Sequence, residues 1–250
     1  MAKSYSALGG WFEYLNADCD YLTWSQYLLN KIKRAGNYSC GLDIGCGNGY
    51  FTRVFNKAGY KVDGMDVSES MLSAARQKAA KEGVRCEFLC GDITKLKVCR
   101  KVDFCTAVND CINYVPKDKL KTAFSHVYSA LNAGGAFFFD ISSQFKIRNI
   151  LGENLFGEDG GDISYMWFNK QTEEGVIMEL TFFIKQPDGL YKRFEETHIQ
   201  YAHSEEDITA ALYKAGFSRV ETEGHLGGDK NERIQFSAFK KQDGKERKNG

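Results

Sequence analysis

The sequence predicts an α/β protein, a doubly wound and mostly parallel sheet into which an antiparallel β meander is inserted. Two observations carry that expectation. Up to residue 141, short apolar runs alternate with amphipathic helical stretches, the pattern of strands crossed over by helices. Beyond residue 142 the alternation stops, and three long runs of strand character follow one another with no helix between them.

Over residues 20–35, Tyr21, Trp24, Leu28 and Ile32 recur at three- and four-residue steps, the stripe of an amphipathic helix stopped by Gly36. Residues 40–44 make a short strand that breaks at Gly45-Cys46-Gly47-Asn48-Gly49, after which Phe51, Val54, Phe55 and Ala58 resume at helical spacing. Residues 60–66 read as a second strand ending in Asp66. Ser68 then caps a helix that runs through Met71, Ala75 and Lys78 to Gly83. A third strand, 85–89, ends at Gly91-Asp92, and 102–108 is a fourth. A helix from Pro116 places Leu120, Ala123, Phe124, Val127 and Leu131 on one face, and 136–141 is a very apolar fifth strand.

The meander comprises 163–170, 176–185 and 190–201, with Pro187-Asp188-Gly189 turning the last hairpin. Ser204 caps a helix bearing Ile208, Ala211, Leu212 and Ala215 on one face, with Asp207 in the capping-box position and Gly216 as its stop. Strands at 219–223 and 233–240 bring the sheet to seven. The expected organisation is one domain formed by 1–142 and 202–241, an inserted meander over 143–201 that acts as a lid, and a charged, disordered tail at 242–250.

A 250-residue chain that is 43% apolar buries enough surface to fold without metal or disulfide staples. Its 33 basic and 33 acidic side chains leave no overall positive field, which counts against nucleic acid as a partner. No stretch approaches the roughly 18 apolar residues of a membrane span, and the N-terminus carries no apolar run with a cleavage site, so a cytoplasmic protein is expected. The eight cysteines all lie in the first half, without C-x-x-C pairs. They read as reduced, mostly buried small apolar residues rather than metal ligands.

The central chemical signal is Asp43-Ile44-Gly45-Cys46-Gly47-Asn48-Gly49. A strand that enters a helix through three glycines lets a ligand lie against backbone and lets an anion meet the helix N-terminus. A dinucleotide site would use G-x-G-x-x-G, but Tyr50 stands where the third glycine belongs. The G-x-G-x-G spacing, with an acid two residues ahead, favours S-adenosylmethionine (SAM). Asp66 stands where a carboxylate accepts the hydroxyls of an adenosine ribose, a role common to both ligand classes. Asp92, on the same carboxyl edge, is placed to take an adenine amino group while the Ile93 amide reaches a ring nitrogen.

With these elements the chain resembles the class I SAM-dependent methyltransferases, over about residues 40–240 and omitting the meander. Residues 42–49 are similar to that family's first motif, 62–66 to its second and 91–93 to its third. Leu131-Asn132-Ala133-Gly134-Gly135 and Leu212 to Phe217 add support. The resemblance implies a Rossmann-like fold and SAM as cofactor. It implies a cofactor site drawn from Asp43, Gly45, Cys46, Gly47, Gly49, Asp66, Val67, Met71, Asp92, Ile93 and Asn109. It is nearest to a small-molecule branch that includes amino-sugar N-methyltransferases and glycine or sarcosine methyltransferases, and it leaves a homodimer open.

The expected activity is therefore methyl transfer to a small molecule, at nitrogen, by direct in-line displacement. A tRNA or protein methyltransferase and a non-catalytic SAM-binding module are the alternatives. After the fourth strand stands Asn109-Asp110-Cys111-Ile112, with neither the N/D-P-P-Y/F loop of base-amine or glutamine enzymes nor the Pro-Cys of cytosine C5 enzymes. Cys111 reads as structural. Asp140 is the one placed carboxylate for a metal-dependent transfer, and no metal is expected. For the acceptor, Tyr14, Tyr114 and His198 are the candidates for proton transfer, and Arg193 for pairing with an anionic group. Alternation in the last meander run puts Arg193 and His198 on opposite faces. An aromatic cluster of Tyr5, Trp11, Phe12, Tyr14, Tyr21 and Trp24 is expected to pack the first helix and to close over the cofactor.

Overall fold

The computed structural model describes residues 19–97 and 100–242. Seven strands form the main sheet: β1 (Cys40–Ile44), β2 (Lys61–Asp66), β3 (Phe88–Cys90), β4 (Val102–Ala107), β5 (Leu131–Ser142), β10 (Arg219–Gly224) and β11 (Arg233–Phe239). Their spatial order is β10-β11-β5-β4-β1-β2-β3. The five strands from β1 to β5 pair in parallel, and only β11 joins antiparallel, between β5 and β10. Chain order reverses beside β1, so the carboxyl ends of β1, β2 and β4 face a crevice, the place where open α/β sheets bind ligands.

Both faces of the sheet are covered. α1 (Tyr21–Ala35) and α2 (Tyr50–Lys57) pack Trp24, Leu28, Ile32 and Phe55 against Val62, Phe104 and Phe138. On the other face α4 (Leu120–Ala130) and α5 (Glu205–Ala215) press Phe124, Val127 and Leu212 onto Phe137, Phe139 and Phe236. Successive phenylalanines of β5 thus serve opposite layers, which is why 136–141 reads as continuously apolar. α3 (Glu69–Lys81) flanks β2 and β3, its Leu72, Ala75 and Ala79 meeting Phe88.

The helix starts follow the expected capping chemistry. Asp20 accepts the Thr23 amide at 3.0 Å, Ser68 the Met71 amide at 3.4 Å and Ser204 the Asp207 amide at 3.0 Å. Asp207 does not close a capping box: its carboxylate pairs with Lys117 Nζ at 2.6 Å. The helix expected from Pro116 begins as a tight turn, Lys117–Lys119, before the α-helix proper.

A second, antiparallel sheet follows β5 and precedes α5. It has four strands where three were expected: β6 (Leu155–Asp159), β7 (Ile163–Gln171), β8 (Gly175–Lys185) and β9 (Tyr191–Tyr201), in that order. Its inner face packs Ile163, Phe182 and Ile184 together, and Val176 and Met178 onto Ile147 and Leu151 of a π-helical turn, Lys146–Leu151. The cysteines depart from expectation too. None of the described cysteines forms a disulfide, but only Cys105 is fully buried and Cys90 is exposed, because most lie in turns and loops or at strand ends rather than mid-sheet.

The two sheets are tied at Asn113, which is completely buried. Its Nδ2 donates to the carbonyls of Ser142 (3.1 Å) and Tyr201 (3.0 Å), and its Oδ1 accepts the Ser142 amide at 2.8 Å. One side chain thereby joins the end of β5 to the end of β9. Asn113→Ala strands these buried backbone groups, each at a cost of about 1–3 kcal/mol. Urea denaturation should show a loss of at least about 2 kcal/mol, whereas a loss within error would show that the tie contributes nothing to stability.

Candidate active site at the strand tips

The site begins with the backbone of the β1–α2 turn. Gly45, Gly47 and Gly49 all have positive φ (67°, 54° and 75°), a region that side chains with a Cβ rarely adopt. A Cβ on Gly45 would also collide with Cys111 Sγ, and one on Gly49 would sit 2.7 Å from the Phe88 ring. The first glycine lets the turn lie against the loop after β4. The third lets the start of α2 close onto β3.

Behind the turn Asp43 is buried, its Oδ2 accepting Thr52 Oγ1 at 2.7 Å and its Oδ1 accepting Thr106 Oγ1 at 2.8 Å. Burial pushes its carboxyl up to about 6, against the pull of the two hydroxyls. At the tip of β2, Asp66 accepts the Gly47 amide at 2.9 Å and the Ser68 amide at 2.8 Å, one on each oxygen. Each oxygen keeps a second lone pair for a ligand hydroxyl. Burial raises this carboxyl too. Asp92 turns Oδ1 onto the Thr94 amide and hydroxyl, both at 2.8 Å, and its Oδ2 has no partner among the described residues.

These groups surround a cavity of about 420 Å³. Asp43, Gly45, Cys46, Gly47, Asp66, Val67, Met71, Asp92, Ile93 and Asn109 all line it. Gly49 does not, since its Cα faces Phe88 and its task is packing. Tyr21 and Tyr50, with ring centroids 5.0 Å apart, and Phe51, 5.7 Å from Tyr21, form an aromatic wall. Trp24 packs behind it, 5.5 Å from Phe51. Tyr5, Trp11, Phe12 and Tyr14 lie outside the described residues.

Sequence reasoning missed Tyr50, Phe51, Thr94, Pro116 and Lys119 as lining residues. The two aromatics directly follow the last glycine, and that adjacency was the available signal. Cys111 lines the cavity as well. Burial pushes the thiols of Cys46 and Cys111 upward, with the nearby acids adding to it, so both stay protonated and neither is set up as a nucleophile.

Tyr114 lines the cavity at the end away from β2 and β3. His198 stands behind it, ring to ring at 6.0 Å, and its Nε2 meets Glu196 Oε2 at 3.0 Å, both side chains being buried. Arg193 is not brought to the cavity. β9 turns Glu196, His198 and Gln200 inward and Arg193 outward, where its side chain is 56% exposed and pairs with Glu195 at 2.5 Å. A solvated ion pair on the outer face fits that arrangement. Asp140 is engaged by Arg233 and by the amides of Asn109 and Asp110.

A glycine cradle, a carboxylate with spare lone pairs on the tip of β2, and an acid and amide after β3 are the acceptors and backbone groups that the sequence led one to expect of a class I methyltransferase, gathered around one cavity. Residues 42–135 match a methyltransferase domain family. The chain is 30% identical over 246 residues to a putative methyltransferase of Geobacillus sp. (strain WCH70), covering 95% of this chain and 100% of that one. It is 31% identical to an S-adenosylmethionine-dependent methyltransferase from Clostridium acetobutylicum ATCC 824 of known crystal structure, with a TM-score of 0.85 over 92% of this chain and 95% of that one. The chain belongs to the SAM-dependent methyltransferases. A sugar N-methyltransferase from Streptoalloteichus sp ATCC 53650 shares the fold, with a TM-score of 0.79 at 16% identity over 97% of this chain and 94% of that one. No helix among the described residues is long and apolar enough to cross a membrane.

His225 offers a test of the electrostatics beside the site. Its ring meets Trp24 edge-on at 4.5 Å, and burial, with Arg233 and Lys146 nearby, pulls its pKa down to about 4 from the ordinary 6.5. A histidine depressed in this way adds stability that is complete above pH 6.5 and lost as the pH falls toward 4. His225→Gln should therefore lose less unfolding free energy than the parent between pH 6.5 and pH 4 in urea titrations. Parallel pH curves would show that the imidazole is not held neutral by the fold.

Proposed function

We propose that the protein transfers a methyl group from SAM to the nitrogen of a small-molecule acceptor. The observation that carries this reading is one continuous cavity whose lining runs from Asp66 and Asp92 to Tyr114, where β9 of the inserted sheet packs beside it. In it Asp66 takes the ribose hydroxyls, Asp92 and the Ile93 amide the adenine, and the backbone of Gly45 and Gly47 the methionine part. Val67 and Met71 pack the purine, Asn109 stands near the sulfonium, and Asp43 and Cys46 support the turn.

When bound, SAM supplies a methyl group on a cationic sulfur, which a nucleophile displaces in line. The protein's own work is to align the acceptor and to exclude water, effects worth on the order of 7–11 kcal/mol in favourable cases. An ammonium acceptor must first lose a proton. In this reading Tyr114 orients it, and its hydroxyl passes the proton on to His198, which stands behind that ring paired with Glu196. The sugar N-methyltransferase of like fold supports nitrogen as the target. Lys119 is the only basic side chain among the described residues that line the cavity, too little to seat a polyanion such as tRNA.

Calorimetry should find SAM bound by the parent protein and bound at least about 10-fold more weakly by Asp66→Ala, given the strength of hydrogen bonds to a carboxylate. Retained affinity would remove Asp66 from the donor site. A methyl-transfer screen over amines, amino sugars and carboxylates, with tRNA and protein as further arms, should find turnover with an amine. In that assay His198→Gln should lower kcat by about 10²-fold or more while leaving SAM affinity unchanged. Tyr114→Phe should act in the same direction. Turnover on tRNA alone would replace the small-molecule reading.

A further inference from the structure

The loop after β4 adopts a conformation that the transfer scheme alone does not explain. Asn109 and Asp110 both have positive φ (62° and 65°), a left-handed pair with no glycine in it. Such a pair persists only where its surroundings hold it, and here they do. Asp140 Oδ1 accepts the Asn109 amide at 2.8 Å and its Oδ2 the Asp110 amide at 3.2 Å. Arg233 Nη1 donates to Asp110 Oδ1 at 2.7 Å and also to Asp140 Oδ2, while its Nη2 donates to Asp110 Oδ2 at 3.3 Å. Ser142 Oγ donates to Asp110 Oδ1 at 2.9 Å.

Arg233 is 8% exposed, Asp140 is fully buried, and the guanidinium lies 5.0 Å over the Trp24 ring. A planar fork that spans two carboxylates fixes their relative orientation, which a single ammonium cannot do. The loop so held presents Asn109 to the cavity, and Cys111, two residues on, fills the space left by the missing Cβ of Gly45. The clasp, the loop and the glycine turn therefore share one boundary.

We propose that Arg233 is a positioning residue of the donor site, holding Asn109 and Cys111 against the glycine turn so that the methionine and sulfonium end of SAM is seated. This rests on the reading that the cavity takes SAM. It separates two halves of that ligand. The adenosine half is served by Asp66 and Asp92 at the tips of β2 and β3, neither of which touches Arg233. The other half depends on the clasp.

The test is calorimetry with two probes, adenosine and SAM, on the full chain and on the variants Arg233→Met and Asp110→Asn. Both variants should bind adenosine within about twofold of the parent and bind SAM at least about tenfold more weakly, and Arg233→Lys should fall between parent and Arg233→Met. Asp110→Asn suits the left-handed turn and keeps an acceptor for Ser142, so it supplies the readout if Arg233→Met does not fold. Equal loss of both probes, or no loss of SAM in a folded variant, overturns the positioning role. A parent chain that binds neither probe overturns the donor-site reading instead.

Discussion

The site hangs on one buried carboxylate. Asp43 sits at the end of β1 and takes a hydroxyl from β4 through Thr106 and another from α2 through Thr52. Charge is expensive in that position, and burial duly raises the carboxyl. The two threonines offset that cost and in doing so fix three elements at the point where the chain leaves the sheet. The shape of the glycine turn follows from that junction: it emerges at a set angle, its Gly47 amide meets Asp66, and α2 starts close to Phe88. Asp43 lines the cavity, yet its oxygens are already engaged with the protein. What it does in this structure is fix where the turn leaves the sheet.

That the glycine turn, Asp66 and Asp92 would line one cavity was legible because each of these groups follows a strand. In a parallel sheet all those strands end on one edge, so Asp66 and Asp92 had to come together with the glycine turn. Register did the rest, since Ile44 lies beside Met65 and Asp66 beside Cys90. Val67 and Met71 came along with the cap of α3. Local chemistry therefore determined local geometry, and the seven-stranded, mostly parallel sheet was readable for the same reason; that β11 runs antiparallel to both its neighbours came from the structure.

What stayed hidden was whatever depends on contacts made across long stretches of chain. Alternation along β9 separates Arg193 from His198 but does not say which side is inward; packing on Ile147, Leu151 and the 111–114 turn decides that. β6 was missed because Leu155-Phe156-Gly157-Glu158-Asp159 has little strand character of its own and becomes a strand by pairing with β7. The clasp around Asn109 joins residues 123 and 93 positions apart, from the last strand to the loop after β4 and to β5. No spacing rule reaches that far. Asp140 looked like a lone acid, and its guanidinium partner was visible only in three dimensions.

Asn113 joins the two sheets with three hydrogen bonds inside the same short turn that begins at Cys111. That turn touches the first glycine on one side and the end of β9 on the other. The inserted sheet is thus tied at that turn: one amide side chain links the end of its last strand to the segment that lies against the first glycine. Whatever enters the cavity meets, in Cys111 and Tyr114, two side chains of a segment that both sheets hold in place.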